Sequence, residues 1–409
     1  MGITACAFPD TSESTLPPVT RVEVAVPAGA TQCVRSSSLA DPDDLLANIY
    51  LLSPHDAVEL PADLTWAEDP VGDPNWVFQL HSLRFVGYLI WAWRDTGDQR
   101  YLDRAEFLLN DWLEDNPRRG APSEFSWNDH ATAQRAKNLA CAAEEITAPW
   151  MAAALELHAE TLADPDFYVE VGNHAFQQGL GLLAVACTLD RGEWIDLALT
   201  RLSDVATQSV DAQGVTNEQA VQYQLYNYDL YREAAGRFAA CGVESPPGFE
   251  RVDLMPEFLA HATLPNGEYV TLGDSGAVRA KPIEDTIAQY AATTGSEGPK
   301  PDTSVAIYDA GFVLARTGWG DQRPMADEVF MSARFGPPPI LHGHVDGGSL
   351  TLYGYGSRLV IDPGKYTYAR DEWRDYFVSA AAHNVVVVDG VETDDAAYTD
   401  LVSSETNDD

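Results

Sequence analysis

From Asn75 onward the apolar positions stop being scattered and recur with helical spacing. NWVFQLHSLRFVGYLIWAWRDTGD is apolar on most sides and stops at Gly97, which predicts one buried helix ended by a glycine. QRYLDRAEFLLNDWLEDNP carries Leu102, Leu108, Leu109, Trp112 and Leu113, then stops before Pro117. The Thr-Gly-Asp turn between them predicts a helical hairpin. The same grammar repeats near Trp127 to Ile146, Trp150 to Leu162, Phe167 to Cys187, Trp194 to Val210, Glu218 to Cys241 and Val252 to Ala262, with Asp-Pro, Gly-Val and Pro-Pro-Gly at the junctions. No fixed-period repeat is written in these helices. Serial hairpins of this kind close as a ring or pack as an irregular bundle, and periodicity leaves both open.

Near residue 300 the period changes to that of strands. SVAIYDAGFVLARTGW, EVFMSARFG, GGSLTLYGYG, SRLVIDPG and NVVVVDGVE are short β-branched or aromatic runs between Gly, Pro and Asp, which predicts an antiparallel sheet region. Residues 1–76, rich in Pro, Asp, Ser and Thr, predict an irregular lead-in with one helix at DPDDLLANIYLL. Three segments are therefore expected: 1–76, a helical domain over 77–300, and a sheet domain over 301–409.

The chemistry concentrates in LHGHVDGGSLTLYGYGSRLVIDPGKYTYARDEWRDYFVSAAAHNVVVVDG, residues 341–390. In an extended segment His342 and His344 point to one side. Asp362 precedes a Pro-Gly turn and His383 opens HNVVVVD, so neighbouring strands would bring His344, Asp362 and His383 together. Two imidazoles and a carboxylate suit a borderline divalent ion, with zinc the expected one. Any one of these histidines alone is better read as a polar residue on a solvated sheet face; it is the combined pattern that favours ligands.

In the helical half, SWNDHATAQRAKN holds Trp127, His130 and Arg135. VEVGNHAFQQGLGLLAVA sets Asn173 and His174 at the start of an apolar helix, where Asn173 reads as a cap or as a donor toward a substrate carboxylate. NEQAVQYQLYNYDLY carries Glu218, Tyr223 and Tyr226, the two tyrosines on one helix face. Such an aromatic stripe is usually core, but the interleaved Gln222, Gln224, Asn227 and Asp229 suit a wet wall better.

The order H-G-H-x-D, D-P-G-x-Y-x-Y, R-x-Y and A-H-N resembles the C-terminal region of the heparinase II/III-like polysaccharide lyases, a group that includes alginate lyases. The resemblance implies an incomplete α/α toroid followed by an antiparallel β sandwich; only about 100 residues here have strand texture, so either the domain is shortened or the sequence is a fragment. It implies β-elimination on a uronic-acid polysaccharide, with an anionic polysaccharide or oligosaccharide as partner. It assigns catalysis to Tyr223, matched through E-x-x-x-x-Y-x-x-Y, together with His342, His174, Asn173 and Arg135. Substrate contacts fall to Tyr226, His130, Trp127, Glu218 and Tyr368, and a structural metal to His344, Asp362 and His383. One departure is that Gln-Ala-Val-Gln separates Glu218 from Tyr223, where family members often have Ser or Gly-Pro.

The chemistry explains the residue types. The C5 proton of a uronate is acidic enough to remove only once its carboxylate is neutralised by donors such as Asn, His and Arg. A base and an acid of the Tyr or His type must then stand near C5 and O4. Two other classes remain open: a glycoside hydrolase on an α/α toroid, which needs two carboxylates across a cleft, and a non-catalytic glycan-binding envelope protein.

Composition sharpens this picture. The 409 residues hold 25 basic and 63 acidic side chains, net −38, which argues against nucleic acid and anionic membrane surfaces. A polyanionic sugar is then admissible only where local cations reverse the field. Five cysteines, Cys6, Cys33, Cys141, Cys187 and Cys241, form no CxxC and argue against a disulfide framework, with Cys141 and Cys187 expected as buried thiols. FVGYLIWAW is too short for a membrane span, and MGITACAFPDTSEST shows no signal peptide. The family suggests a secreted or cell-envelope location, a cytoplasmic location stays open, and a homodimer is open as well.

Overall fold

The computed structural model describes residues 31–33, 41–368, 371–391 and 396–405. After a short helix, α1 (Pro42–Leu46), and a two-stranded ribbon of β1 (Ile49–Tyr50) and β2 (Val58–Glu59), the helical region begins. It comprises α2 (Pro74–Ser82), α3 (Val86–Thr96), α4 (Gln99–Asp115), α5 (Asp129–Ala142), α6 (Met151–Ala163), α7 (Gly172–Thr188), α8 (Gly192–Ser209), α9 (Val221–Cys241), α10 (Met255–His261) and α11 (Ile287–Ala292). Starts are capped where the sequence offers an acceptor: Asp73, Asp98 and Asn128 each take a backbone N–H of the first turn.

The expected single helix from Asn75 to Gly97 is two helices. It breaks at Leu83, held left-handed at φ 52°, before resuming at Val86 and stopping at Gly97 as expected. The break is anchored by tertiary bonds, since His81 Nε2 donates to Trp66 O at 3.1 Å. No Gly or Pro marks it locally.

Helix α7 is the hub of the α/α toroid, packed on α5, α6 and α8 with Ala175, Phe176 and Leu180 through Ala186 buried. Two glycines allow the close approach: a Cβ at Gly181 would meet Ala133 O of α5 at 2.8 Å, and one at Gly179 would meet Leu202 of α8 at 2.8 Å.

The sheet follows as an antiparallel meander in chain order: β3 (Val305–Tyr308), β4 (Phe312–Arg316), β5 (Phe330–Arg334), β6 (Leu350–Gly354) and β7 (Ser357–Val360). Phe312 faces Arg334 and Phe330 faces Tyr353 in the register. Its inner face packs Phe312, Leu314, Phe330 and Tyr353 against Phe258, Leu259 and Ala291. Met331, Leu350, Leu359 and Val360 lie exposed on or beside the other face. Helix α12 (Glu372–Val378) and a 3-10 turn at Ala380–Ala382 follow the sheet.

Two strand expectations fail. Residues 341–349 form turns, and the described part of NVVVVDGVE, residues 384–391, forms only the bridge Val388 to Val391, with Val386 and Val388 exposed. Among the described residues there is one sheet of this region, not the two layers of a sandwich. The cysteine expectation is also overturned: Cys33 bonds Cys141 and Cys187 bonds Cys241, bridging 108 and 54 residues. The Cα atoms stand 4.5 and 5.5 Å apart, so spacing in the chain concealed pairs that folding makes adjacent. Cys6 lies outside the described residues.

Candidate active site and metal centre

Helix α9 belongs to both cores: Leu230 and Tyr231 pack with the toroid, whereas Val221 packs with the sheet cluster. Its N-terminus is stitched to two loops. Gln219 Oε1 accepts Ile340 N at 2.7 Å, Gln222 N donates to Ser275 Oγ at 3.1 Å, and Gln222 Oε1 accepts Gly276 N at 3.0 Å. These bonds fix Tyr223, on the first turn of α9, against the loop that carries His342. The two rings stack with centroids 3.5 Å apart and planes 12° off parallel. Tyr223 and Tyr368 share a hydroxyl hydrogen bond of 2.8 Å.

The centre of the arrangement is Asp274, in the segment LGDSG. Its carboxylate is fully buried and takes His342 Nδ1 at 2.9 Å, His344 Nε2 at 3.0 Å and both terminal nitrogens of Arg374. Burial works to raise its pKa, but these donors hold it well below the usual carboxylate range. Gly273 makes the approach feasible: with φ 59°, a Cβ there would meet Gln219 O at 2.6 Å and His342 O at 2.7 Å. Because a carboxylate only accepts, both imidazoles donate to Asp274. This leaves His342 Nε2 and His344 Nδ1 as the ring atoms turned away from Asp274, and in a neutral imidazole those atoms carry the lone pair.

His342 Nε2 stands 3.7 Å from Glu218 Oε2. Glu218 Oε1 accepts Asn227 Nδ2 at 3.0 Å, and Oε2 is buried without a partner. Burial raises the Glu218 pKa, opposed by Asn227 and His342. Burial likewise raises that of Tyr223, opposed by its bond to Tyr368, so the phenol is neutral near pH 7. Glu218, His342, Leu341, Asn173 and His174 line a cavity of about 290 Å³.

The far wall of that cavity is the start of α7. Gln178 pins it, accepting Val169 N at 2.9 Å and donating to Phe167 O at 3.0 Å. Asn173 is the second residue of α7 and not its cap, a position held by Val171. His174 Nδ1 meets Asp129 Oδ2 at 2.8 Å, and His130 packs behind it with ring centroids 4.5 Å apart. Burial and the His174 and Arg84 charges lower the His130 pKa to about 3, so this ring is a neutral wall.

Three expected contacts are placed elsewhere. Arg135 is fully buried, donating to His158 Nε2, His81 O and Ser126 O at 2.7 to 2.9 Å, with its guanidinium 3.6 Å over Trp112. Trp127 is buried beside it and donates to Asn116 O at 3.0 Å. Neither reaches the cavity, because apolar packing and carbonyl acceptors consume both. Tyr226 lines a second cavity inside the toroid. Asp274, which orders the site, was not singled out in the sequence, and Arg374 entered only as the Arg of the R-x-Y motif, without a role. The Gly-Asp-Ser-Gly run was the available signal, an acid framed by glycines that permit close approach.

His344, Asp362 and His383 come together without forming neighbouring strands. Ligand atoms from all three lie within 4.8 Å of one another. His383 Nδ1 donates to Asp362 Oδ2 at 2.8 Å, while His383 Nε2 and His344 Nδ1 are buried without partners. Two orphaned imidazole nitrogens beside a carboxylate are a donor set that fits a divalent ion.

The family is now identifiable. The Heparinase II/III N-terminus model matches residues 43–297 and the Heparinase II/III-like, C-terminal model matches 300–406. The chain belongs to the heparinase II/III family. It is 23% identical over 361 residues to a heparin-sulfate lyase of Pedobacter heparinus, covering 80% of this chain and 54% of that one. A heparin-sulfate lyase of Bacteroides stercoris is 22% identical over 383 residues, covering 81% and 56%. The chain thus spans about half the length of these relatives. A crystal structure of heparinase III superposes with a TM-score of 0.70 at 19% identity, covering 96% of this chain and 68% of that one. The heparan sulfate lyase of Pedobacter heparinus superposes at 0.65 with 20% identity, covering 85% and 61%.

Proposed function

We propose that this chain cleaves a uronic-acid-containing polysaccharide by β-elimination. The observation that carries the reading is the neutral phenol of Tyr223 stacked on the His342 imidazole, which Asp274 orients and which lines a cavity walled by Asn173 and His174. Asn173 and the N-terminal amides of α7 neutralise the uronate carboxylate, which acidifies the C5 proton. His342 Nε2 takes that proton, the C5–H electron pair becomes the C4–C5 double bond, and the C4–O4 bond breaks. Tyr223 donates its proton to the departing O4. The raised pKa of Tyr223 favours this acid role over a resting phenolate base. His174 is the alternative partner base, and Tyr368, Glu218 and His130 complete the walls.

A hydrolase fits the carboxylates less well. Asp274 is buried and saturated by four donated hydrogen bonds, which leaves Glu218 without a second free carboxylate in the cavity lining.

His344, Asp362 and His383 would hold the metal, with zinc suited to the nitrogen and oxygen donors. Such an ion would supply a fixed positive charge, and His344 would hold it through Nδ1. Because His344 and His342 share Asp274, rigidity at His344 orients the base as well. The two disulfides favour folding in an oxidising compartment.

The experiment is incubation with alginate, heparin-sulfate and hyaluronan-type polymers, followed by ultraviolet absorbance and mass of the products. An unsaturated uronate at the new chain end is expected. New reducing ends without unsaturation would assign a hydrolase, and no cleavage of any polymer would leave a glycan-binding protein.

A further inference from the structure

The wall that starts at the cleft continues into the toroid as one polar stripe on three helices. Along α5 it is His130, Gln134 and Lys137; along α7, Asn173 and Gln177; along α9, Tyr223, Tyr226 and Glu233. The spacings of three, four and seven keep each set on one helix face. The first member of each set stands at the cleft or its wall. The later members line a second cavity, of about 300 Å³, at the lower end of the range for small-molecule sites, roughly 300–1,000 Å³. Asn173 and Gln177 are four residues apart, so the two cavities are offset by about 6 Å along α7.

This second cavity is cationic in a chain of net charge −38. Glu233 sits between Lys137 at 2.9 Å and Arg237 at 3.0 Å, and these cations hold its pKa down to about 2 against burial. One carboxylate therefore faces two cations. Arg84 adds a third: it follows the break at Leu83, lines the cavity while staying solvent-exposed, holds its guanidinium 5.5 Å over the Phe78 ring, and feels the Glu233 charge without an ion pair to any carboxylate among the described residues. Asp229 on the lining is paired with Lys281 at 2.6 Å. The far end is covered by the segment at Gln32, whose carbonyl accepts from Arg237 at 3.0 Å and which the Cys33 to Cys141 bond ties to α5.

We propose that this cavity is an anion-reading subsite for the sugar adjoining the one that reacts, with Arg84 contacting that sugar's carboxylate or sulfate. The inference rests on the elimination reading of the cleft, and it makes Arg84 a specificity residue. Three cations, Arg84, Lys137 and Arg237, face the single carboxylate of Glu233, since Asp229 is paired outward with Lys281, and the exposed Arg84 guanidinium keeps its donors open to an anionic sugar. Trp91 and Tyr226 give it aromatic walls.

The test is calorimetric titration of the full chain with glucuronate, glucosamine 6-sulfate and glucose, on wild type and on Arg84→Met, which keeps the stem and removes the charge. At least one anionic sugar is expected to bind at least tenfold tighter than glucose, and Arg84→Met is expected to abolish that preference. Which anionic sugar wins tells carboxylate from sulfate. Binding should persist in Tyr223→Phe. An unchanged preference in Arg84→Met overturns the proposal, as does its loss in Tyr223→Phe with retention in Arg84→Met. If polymers are eliminated by wild type, Arg84→Met should raise KM at least tenfold and change kcat little, and an unchanged KM overturns the subsite. Arg84-dependent binding without any elimination product would keep the subsite and reject the lyase reading.

Discussion

The molecule holds two clusters built from the same kinds of residue, and only one of them faces space. In the toroid core Arg135, His81, His158, Trp112, Trp127 and Ser126 form a closed set. Trp112 Nε1 donates to His81 Nδ1 at 3.1 Å, His158 Nδ1 to Ala154 O at 2.8 Å, and Ser126 Oγ to Asn116 Oδ1 at 2.6 Å. Every donor of these imidazoles and indoles has an acceptor, and the charge of Arg135 rests on carbonyls, an imidazole and an indole face. At the cleft, Tyr223, His342, Asp274 and Arg374 are as tightly bonded on one side. On the other, His342 Nε2 faces Glu218 Oε2 and a cavity. A functional site is thus distinguished here by unspent hydrogen-bonding capacity beside a cavity, not by its residue types.

The largest expected difference is in catalysis. Tyr223→Phe keeps the ring stacked on His342 and deletes the hydroxyl, so turnover should fall about 10²- to 10⁴-fold with the melting temperature nearly unchanged. Full elimination by a folded Tyr223→Phe protein would move the acid to Tyr368 or another tyrosine. Arg135→Met should do the reverse. It strips the charge that His158, His81 and Ser126 were arranged around and should cost about 3–5 kcal/mol of stability, the range for breaking a buried charged contact. Denaturant unfolding measures this, and a soluble, equally stable variant with lost activity would return Arg135 to the chemistry.

Smaller, but diagnostic, is the response to acid. His81 is buried with its pKa lowered to about 3 by burial and the Arg135 charge, and the same causes push His158 well below its ordinary value. Folded-state pKa values below the unfolded one mean that the unfolded chain binds protons first. Stability is therefore lost as pH falls from the unfolded value near 6.5 toward the folded values. Two such histidines predict a loss of about 2–3 kcal/mol between about pH 7.5 and 5.5. Equal unfolding free energies at both values would show that these imidazoles already carry protons in the folded core.

How far the sequence reaches follows from the range of the interactions. Helix periods, the stop at Gly97 and the caps Asp73, Asp98 and Asn128 are local, and the chain spells them out within a few residues. So are the turn-separated strand runs from Val305 to Val360. The grouping of His344 with Asp362 and His383 was suggested by ligand type and an expected strand placement that the fold replaces with loops, whereas the pairing of Tyr223 with His342 was legible only because the resemblance supplied long-range order. The break at Leu83 was not, because it is stabilised by Trp66, Trp112 and Arg135 and not by its own residues. Nor was the role of Asp274, an acid among 63, until folding removed it from water and placed three cationic or imidazole partners on it. The two disulfides follow the same logic, closing over separations of 108 and 54 residues that no spacing rule encodes. Arg135 shows the converse: its neighbours in sequence suit a site, and burial with complete hydrogen bonding makes it part of the core. The sequence by itself determined which segments coil, which extend and which residue types are present. The tertiary structure alone decided which polar groups are satisfied and which are left facing a cavity, because desolvation and partner geometry exist only once distant segments meet.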